Sequence, residues 1–142
     1  MSIVFFTDRD LGSVFPTTLA DSGVTVERHA AHFAPDCPDE EWLRVVGSRG
    51  WVAVTRDTRI RYKPNELAAV VRHRVALLVL VGNTTHAELA ANFVRTAPAI
   101  ISFLGRRAPP LIAKVYRPSA AELARNPHAA GSVSVWYPKP RK

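Results

Sequence analysis

At 142 residues, 47% of them hydrophobic and 22% charged, the chain is of single-domain size and can bury a core, which excludes a disordered protein. Its longest purely apolar run, Val75 to Val81, is far too short to cross a bilayer, so no membrane partner is expected. The net charge of +7 is uneven: residues 1–66 hold 8 Lys/Arg against 10 Asp/Glu, and residues 67–142 hold 11 against only Glu88 and Glu122.

An acidic segment framed by a basic one suits a nucleic-acid backbone, although a basic excess also serves as solvated surface. The first residues show no basic n-region followed by a long apolar stretch, so no signal peptide is expected. Cys37 is alone, which rules out an internal disulfide and suits a reducing, cytoplasmic compartment.

Ile3–Thr7 is an apolar strand that runs directly into Asp8. Phe15–Ser22 is a short helix ended by Gly23, and Val24–His29 alternates as a second strand. Asp39 caps a helix of about three turns with Trp42, Leu43, Val45 and Val46 on its apolar side, closed by Gly47 and Gly50. Trp51–Thr55 is the third strand, followed by Arg56-Asp57. Pro64 opens a helix to Arg74 that turns Leu67, Val70 and Val71 inward.

Val75–Val81 reads as a central strand buried on both faces. A long helix from about Thr85 to Leu104, kinked near Pro98, precedes a last apolar strand, Leu111–Tyr116. Strand and helix in alternation predict an α/β fold with a mainly parallel central sheet flanked by helices. Beyond Arg117 prolines break the pattern. Ser132–Tyr137 is short enough to add one edge strand, and Lys139-Pro140-Arg141-Lys142 reads as a frayed tail.

In such a sheet the carboxyl ends of the strands border one crevice, where ligands bind. Asp8 and Asp57 follow strands there, and Asp39 opens a helix. Each has an ordinary alternative as a turn or capping residue. Together, Asp8, Asp39 and Asp57 point to a hard divalent cation, Mg²⁺ or Mn²⁺, which selects carboxylates and water. His29 and His32 lack the second ligand pair of a zinc site and read as ordinary loop histidines. Arg56, Arg59, Arg61 and Lys63 follow the acidic positions as a rim able to track phosphates, with Tyr62 as a stacking face. No Walker or dinucleotide motif is present.

Three stretches carry a family likeness: Phe5-Phe6-Thr7-Asp8-Arg9-Asp10-Leu11-Gly12, Pro38-Asp39-Glu40-Glu41-Trp42-Leu43 and Trp51-Val52-Ala53-Val54-Thr55-Arg56-Asp57. In them the chain resembles the PIN-like domains of the PIN nuclease superfamily, in particular the VapC-type toxin group. The resemblance implies a PIN-like nuclease domain over residues 1–117 and a partly irregular C-terminal extension over 118–142. It also implies a Mg²⁺- or Mn²⁺-dependent endoribonuclease acting on RNA, held in check by a small antitoxin protein.

By that likeness Asp8, Asp39 and Asp57 are the catalytic, metal-binding acids. Larger PIN nucleases carry a further acid on a helix between the first and third positions. This chain has little room for that helix, and Asp10 or Glu40 are the available substitutes. The competing expectation is a non-catalytic module on the same fold that binds nucleic acid or a partner. Self-association into a homo-oligomer is left open.

Overall fold

The computed structural model describes residues 3–139, so of the expected frayed tail Pro140-Arg141-Lys142 lie outside the described residues. Six strands form one sheet in the order β2-β1-β3-β4-β5-β6. These are β1 (Val4–Thr7), β2 (Thr25–Arg28), β3 (Val52–Thr55), β4 (Ala76–Leu80), β5 (Leu111–Tyr116) and β6 (Ser132–Tyr137). The first five are mutually parallel, and β6 pairs antiparallel with β5. The α/β architecture with a mainly parallel sheet is therefore as the sequence predicts.

Period-two alternation sends neighbouring residues to opposite faces, and both faces are covered. Phe5, Val54 and Leu78 join a core with Phe15 and Leu19 of α1 (Val14–Asp21) and Phe93 and Ile100 of α5 (His86–Arg106). Phe6, Ala53 and Leu77 join a second core with Trp42, Leu43 and Val46 of α3 (Asp39–Arg49) and Val70 of α4 (Pro64–Arg72). Two short helices complete the chain, α2 (His29–His32) and α6 (Ala120–Arg125). The sequence pattern shows neither, because one or two turns carry too little periodicity.

Several local expectations change. Asp39 is the first residue of α3 rather than its cap, which is Pro38. Gly47 does not close α3. The helix continues to Arg49, and Gly50 ends it with φ +69°, a left-handed conformation suited to glycine. Gly47 instead permits a close approach: a Cβ there would stand 2.2 Å from the His73 carbonyl oxygen. Val71 is 42% exposed, and Ala69 and Val70 take the inward face of α4. The long helix α5 continues through Pro98 to Arg106.

The order of strands locates the crevice. The chain leaves β1 into α1 on one face and leaves β3 toward α4 on the other, although β1 and β3 are neighbours. Adjacent strands whose connections diverge leave an opening at their carboxyl ends, which is the topological switch point of such sheets. Asp8 and Thr55 stand on either side of it.

Candidate metal centre in the acidic crevice

The Asp8 N–H donates to the Val54 carbonyl at 3.0 Å, which ties the end of β1 to β3. The chain then makes a 3-10 turn, Arg9–Leu11, that brings Asp10 back toward the same strand end. Asp8 Oδ1 accepts from the Arg9 N–H at 2.7 Å, and its Oδ2 lies 2.9 Å from Thr55 Oγ1. Asp10 Oδ2 lies 3.0 Å from the same hydroxyl and accepts from the Arg56 N–H, also at 3.0 Å. Thr55 Oγ1 in turn accepts from the Asp57 N–H at 3.1 Å.

A hydroxyl has one proton to give, and here it faces two carboxylates. Burial, then the neighbouring Asp10 carboxylate, push Asp8 up from 3.8 to about 7, against the lowering effect of its hydrogen bonds from Thr55 and Arg9. Burial raises Asp10 as well, opposed by the Arg56 N–H and Thr55. Near neutrality Asp8 is thus poised to hold a proton or to exchange it for a cation.

The other two aspartates stand beside this pair. Asp39 adds a smaller upward push on Asp8, and its Oδ1 accepts from the Trp42 indole N–H at 2.9 Å. Asp57 is near enough to raise Asp10, but Oδ1 accepts from the Arg59 N–H at 3.0 Å and Oδ2 lies 2.6 Å from Lys63 Nζ. Glu40 is exposed and borders a hollow against α4 with Asn65, Arg72 and His73. Among the described residues, no three Asp, Glu, His or Cys side chains enclose an ion by themselves. Asp10, not Glu40, is the further acid that the fold brings to Asp8.

Three of the four cations expected to form a rim have other employments. Arg56 Nη2 donates to the carbonyls of Thr84 and Gly82 at 3.3 and 3.5 Å. Lys63 pairs with Asp57. Arg61 Nε donates to the Trp136 carbonyl at 3.2 Å, and its guanidinium stands over the rings of Tyr62, Trp136 and Tyr137. Only Arg59 is exposed with no side-chain ion pair among the described residues. Tyr62 is 66% exposed, edge-on to Trp136.

These acids lie within a recognised segment: the family model described as a PIN-like domain matches residues 3–82, more than half of the chain. The chain belongs to the PIN-like domain family. Its superfamily consists generally of nucleases that use divalent metals. No curated protein and no solved structure matches the chain. Asp8, Asp10, Asp39, Asp57 and Thr55 all fall inside the matched segment of this PIN-like domain, while α5, β5, α6 and β6 follow it.

Two features of the PIN-like domain escape sequence reading. Thr55 is wholly buried, and its hydroxyl is the joint on which the Asp8 and Asp10 carboxylates and the Asp57 N–H meet. Its one sequence signal is a hydroxyl at the end of an apolar strand, two residues before an aspartate. His29 is the second. It is not a loop histidine but is 3% exposed, packed against Phe6, Phe33 and Trp42. His32 stays at the surface with Nε2 2.6 Å from Glu27 Oε1. Burial and nearby acids raise the Cys37 thiol, which works against a thiolate there. No helix among the described residues is long and apolar enough to cross a membrane.

Proposed function

We propose that this PIN-like domain is a Mg²⁺- or Mn²⁺-dependent endoribonuclease and the toxin of a VapC-type toxin–antitoxin pair. The observation that carries the reading is the pair Asp8 and Asp10 on one Thr55 hydroxyl, with Asp8 raised to about 7. The donor set fits a hard cation: two carboxylates, only oxygen ligands, and an electrostatic demand for positive charge. Magnesium is commonly held by one or two carboxylates and completes its shell with water, so no third close side chain is required. When bound, such an ion supplies an activated water and neutralises charge developing on the phosphodiester oxygens.

The chain's own residues do the rest. Thr55 and the Arg9 and Arg56 N–H groups fix the rotamers of Asp8 and Asp10, so the carboxylates are preorganised. Asp39 adds negative charge beside them, Asp57 does so only as far as Lys63 leaves it unneutralised, and both would accept from water on a bound ion. Arg59, exposed beside Asp57, is the member of the basic run free to meet a phosphate. A small antitoxin would silence the site by placing an Arg or Lys side chain among the carboxylates.

A second reading, a binding module without catalysis, draws on the Lys63–Asp57 ion pair, which occupies one expected ligand with an internal cation. The test is cleavage of a mixed RNA pool with Mn²⁺ by wild type, Asp8→Asn and Asp57→Asn at equal folded concentration. Metal-dependent cleavage lost in both variants supports the nuclease. Cleavage that survives EDTA, or full rate in either variant, overturns it.

A further inference from the structure

The rim beside the acidic crevice comes from residues 56–63 and leaves the basic surplus of residues 67–142 without a role. Part of that surplus gathers at the opposite edge of the sheet, where β1, β3 and β4 begin. A groove of about 540 Å³ lies there, between the strand starts and the last turns of α5. Ile3, Trp51, Ile101 and Leu104 give it an apolar floor, and Arg74 and Arg107 are the charged residues of its walls. Among the described residues no Asp or Glu lines it, and neither arginine forms an ion pair.

The helix α5 is apolar on more than its buried side. Ile100 and Phe103 enter the core, whereas Ile101 is 50% exposed and Leu104 half-buried. A single exposed isoleucine is ordinary surface. Here it joins three other apolar side chains in one concave patch, which is the character of a binding surface. Arg107 also lines a neighbouring hollow with Arg106 and Lys139, where again no Asp or Glu is found among the described residues.

We propose that this groove docks an acidic segment of a separate protein partner. One large apolar side chain of that segment seats on Trp51, Ile101 and Leu104, and flanking Asp or Glu residues pair with Arg74 and Arg107.

The chemistry of the groove selects this occupant. An apolar floor takes an apolar anchor and offers nothing to a phosphate backbone, so RNA is the poorer match. Unpaired guanidinium groups favour carboxylates, which they hold through paired N–H donors. A second copy of the chain fits less well. Its densest acidic run, Asp36 to Glu41, leads into Trp42 and Leu43, which are wholly buried and cannot serve as the anchor. Because β1, β3 and β4 are parallel, the groove and the acids lie at opposite strand ends, and the segment binds without covering Asp8 or Asp10. The inference stands whether or not the chain cleaves RNA.

The experiment selects a random phage-displayed peptide library on the immobilised full chain. The enriched peptide is then labelled and titrated by fluorescence anisotropy with wild type, Gly105→Trp and the double variant Arg74→Gly, Arg107→Gln. A Cβ on Gly105 meets nothing within 4 Å, so the indole fills the groove without displacing the fold. Glycine suits the left-handed φ of +53° at Arg74, so that change removes charge without strain. Enriched peptides should share one Leu, Ile, Phe or Trp with Asp or Glu close by. Affinity should fall about tenfold in Gly105→Trp and several-fold in the double variant, whose salt dependence should also flatten. Melting temperatures near that of wild type show that the variants are folded. Selection of no peptide, enrichment without acidic residues, or unchanged affinity in either folded variant overturns the docking site. Displacement of the peptide by RNA, or a wild-type dimer that Gly105→Trp dissociates, assigns the groove to another occupant and overturns it as well.

Discussion

Lys63 Nζ lies 2.6 Å from Asp57 Oδ2, so the acid that follows β3 is already neutralised by a side chain six residues further on. The pair is 42% and 22% exposed, where an ion pair adds only about 0–1 kcal/mol of stability. Its consequence is therefore greater for the electrostatics of the crevice than for folding. Lys63→Met should bind Mn²⁺ several-fold more tightly than wild type, with a melting temperature within a few degrees of it. Calorimetric titration with Mn²⁺ checks this. Unchanged affinity would show that Asp57 takes no part in holding the ion.

The pH dependence of stability follows from Asp8, raised from 3.8 to about 7. A carboxyl with a higher pKa in the fold binds more protons folded than unfolded, so its effect is to lower stability as pH rises. The loss accumulates from 3.8 up to about 7 and is complete above that value. Melting temperature measured across this range should fall in wild type and fall less in Asp8→Asn. Saturating Mn²⁺ should restore stability most at the upper end, where the proton has left.

Thr55→Val preserves shape and removes the shared hydroxyl. Asp8 and Asp10 then lose a common donor, and the Asp57 N–H loses its acceptor. We expect a loss of about 1–3 kcal/mol in urea denaturation, in the range for buried hydrogen bonds to charged groups, together with weaker Mn²⁺ binding. Wild-type values in both measurements would remove Thr55 from the centre of the site.

Arg59 and Arg61 should separate cleanly. Arg59→Glu should weaken RNA binding and flatten its salt dependence while shifting stability by about 0.5 kcal/mol or less. Arg61→Glu should destabilise the fold, because its guanidinium stands over three aromatic rings and its Nε bonds the Trp136 carbonyl. Filter binding at several salt concentrations, alongside thermal melts, distinguishes the two.

Gly47→Ala should cost about 1–3 kcal/mol in urea denaturation, as overpacking does, because the backbone carbonyl of His73 cannot swing aside as a side chain would. A wild-type midpoint would show that α3 and the end of α4 separate easily.

The sequence by itself determined the layout: alternating apolar strands and helices, a mainly parallel sheet, and aspartates placed where β1 and β3 end. Those features are local, since strand period, proline position and a polar residue after an apolar run need no distant partner. Asp8 and Asp57 were legible for that reason.

What joins them was not. Thr55 meets Asp8 and Asp10 across 47 and 45 residues of chain, a contact that exists only because β1 and β3 are neighbours. The choice of Asp10 over Glu40 depends on a three-residue turn that folds Asp10 back, while Glu40 faces α4. The basic run Arg56 to Lys63 looks uniform in sequence, yet β6 arrives beside it and takes Arg61 onto Trp136 and Tyr137. His29 is polar and follows a strand, and only the packing of Phe6, Phe33 and Trp42 around it makes it an interior residue. Periodicity reports which face a residue takes. Which residues then share a hydrogen bond or a charge is settled by strand order and helix packing.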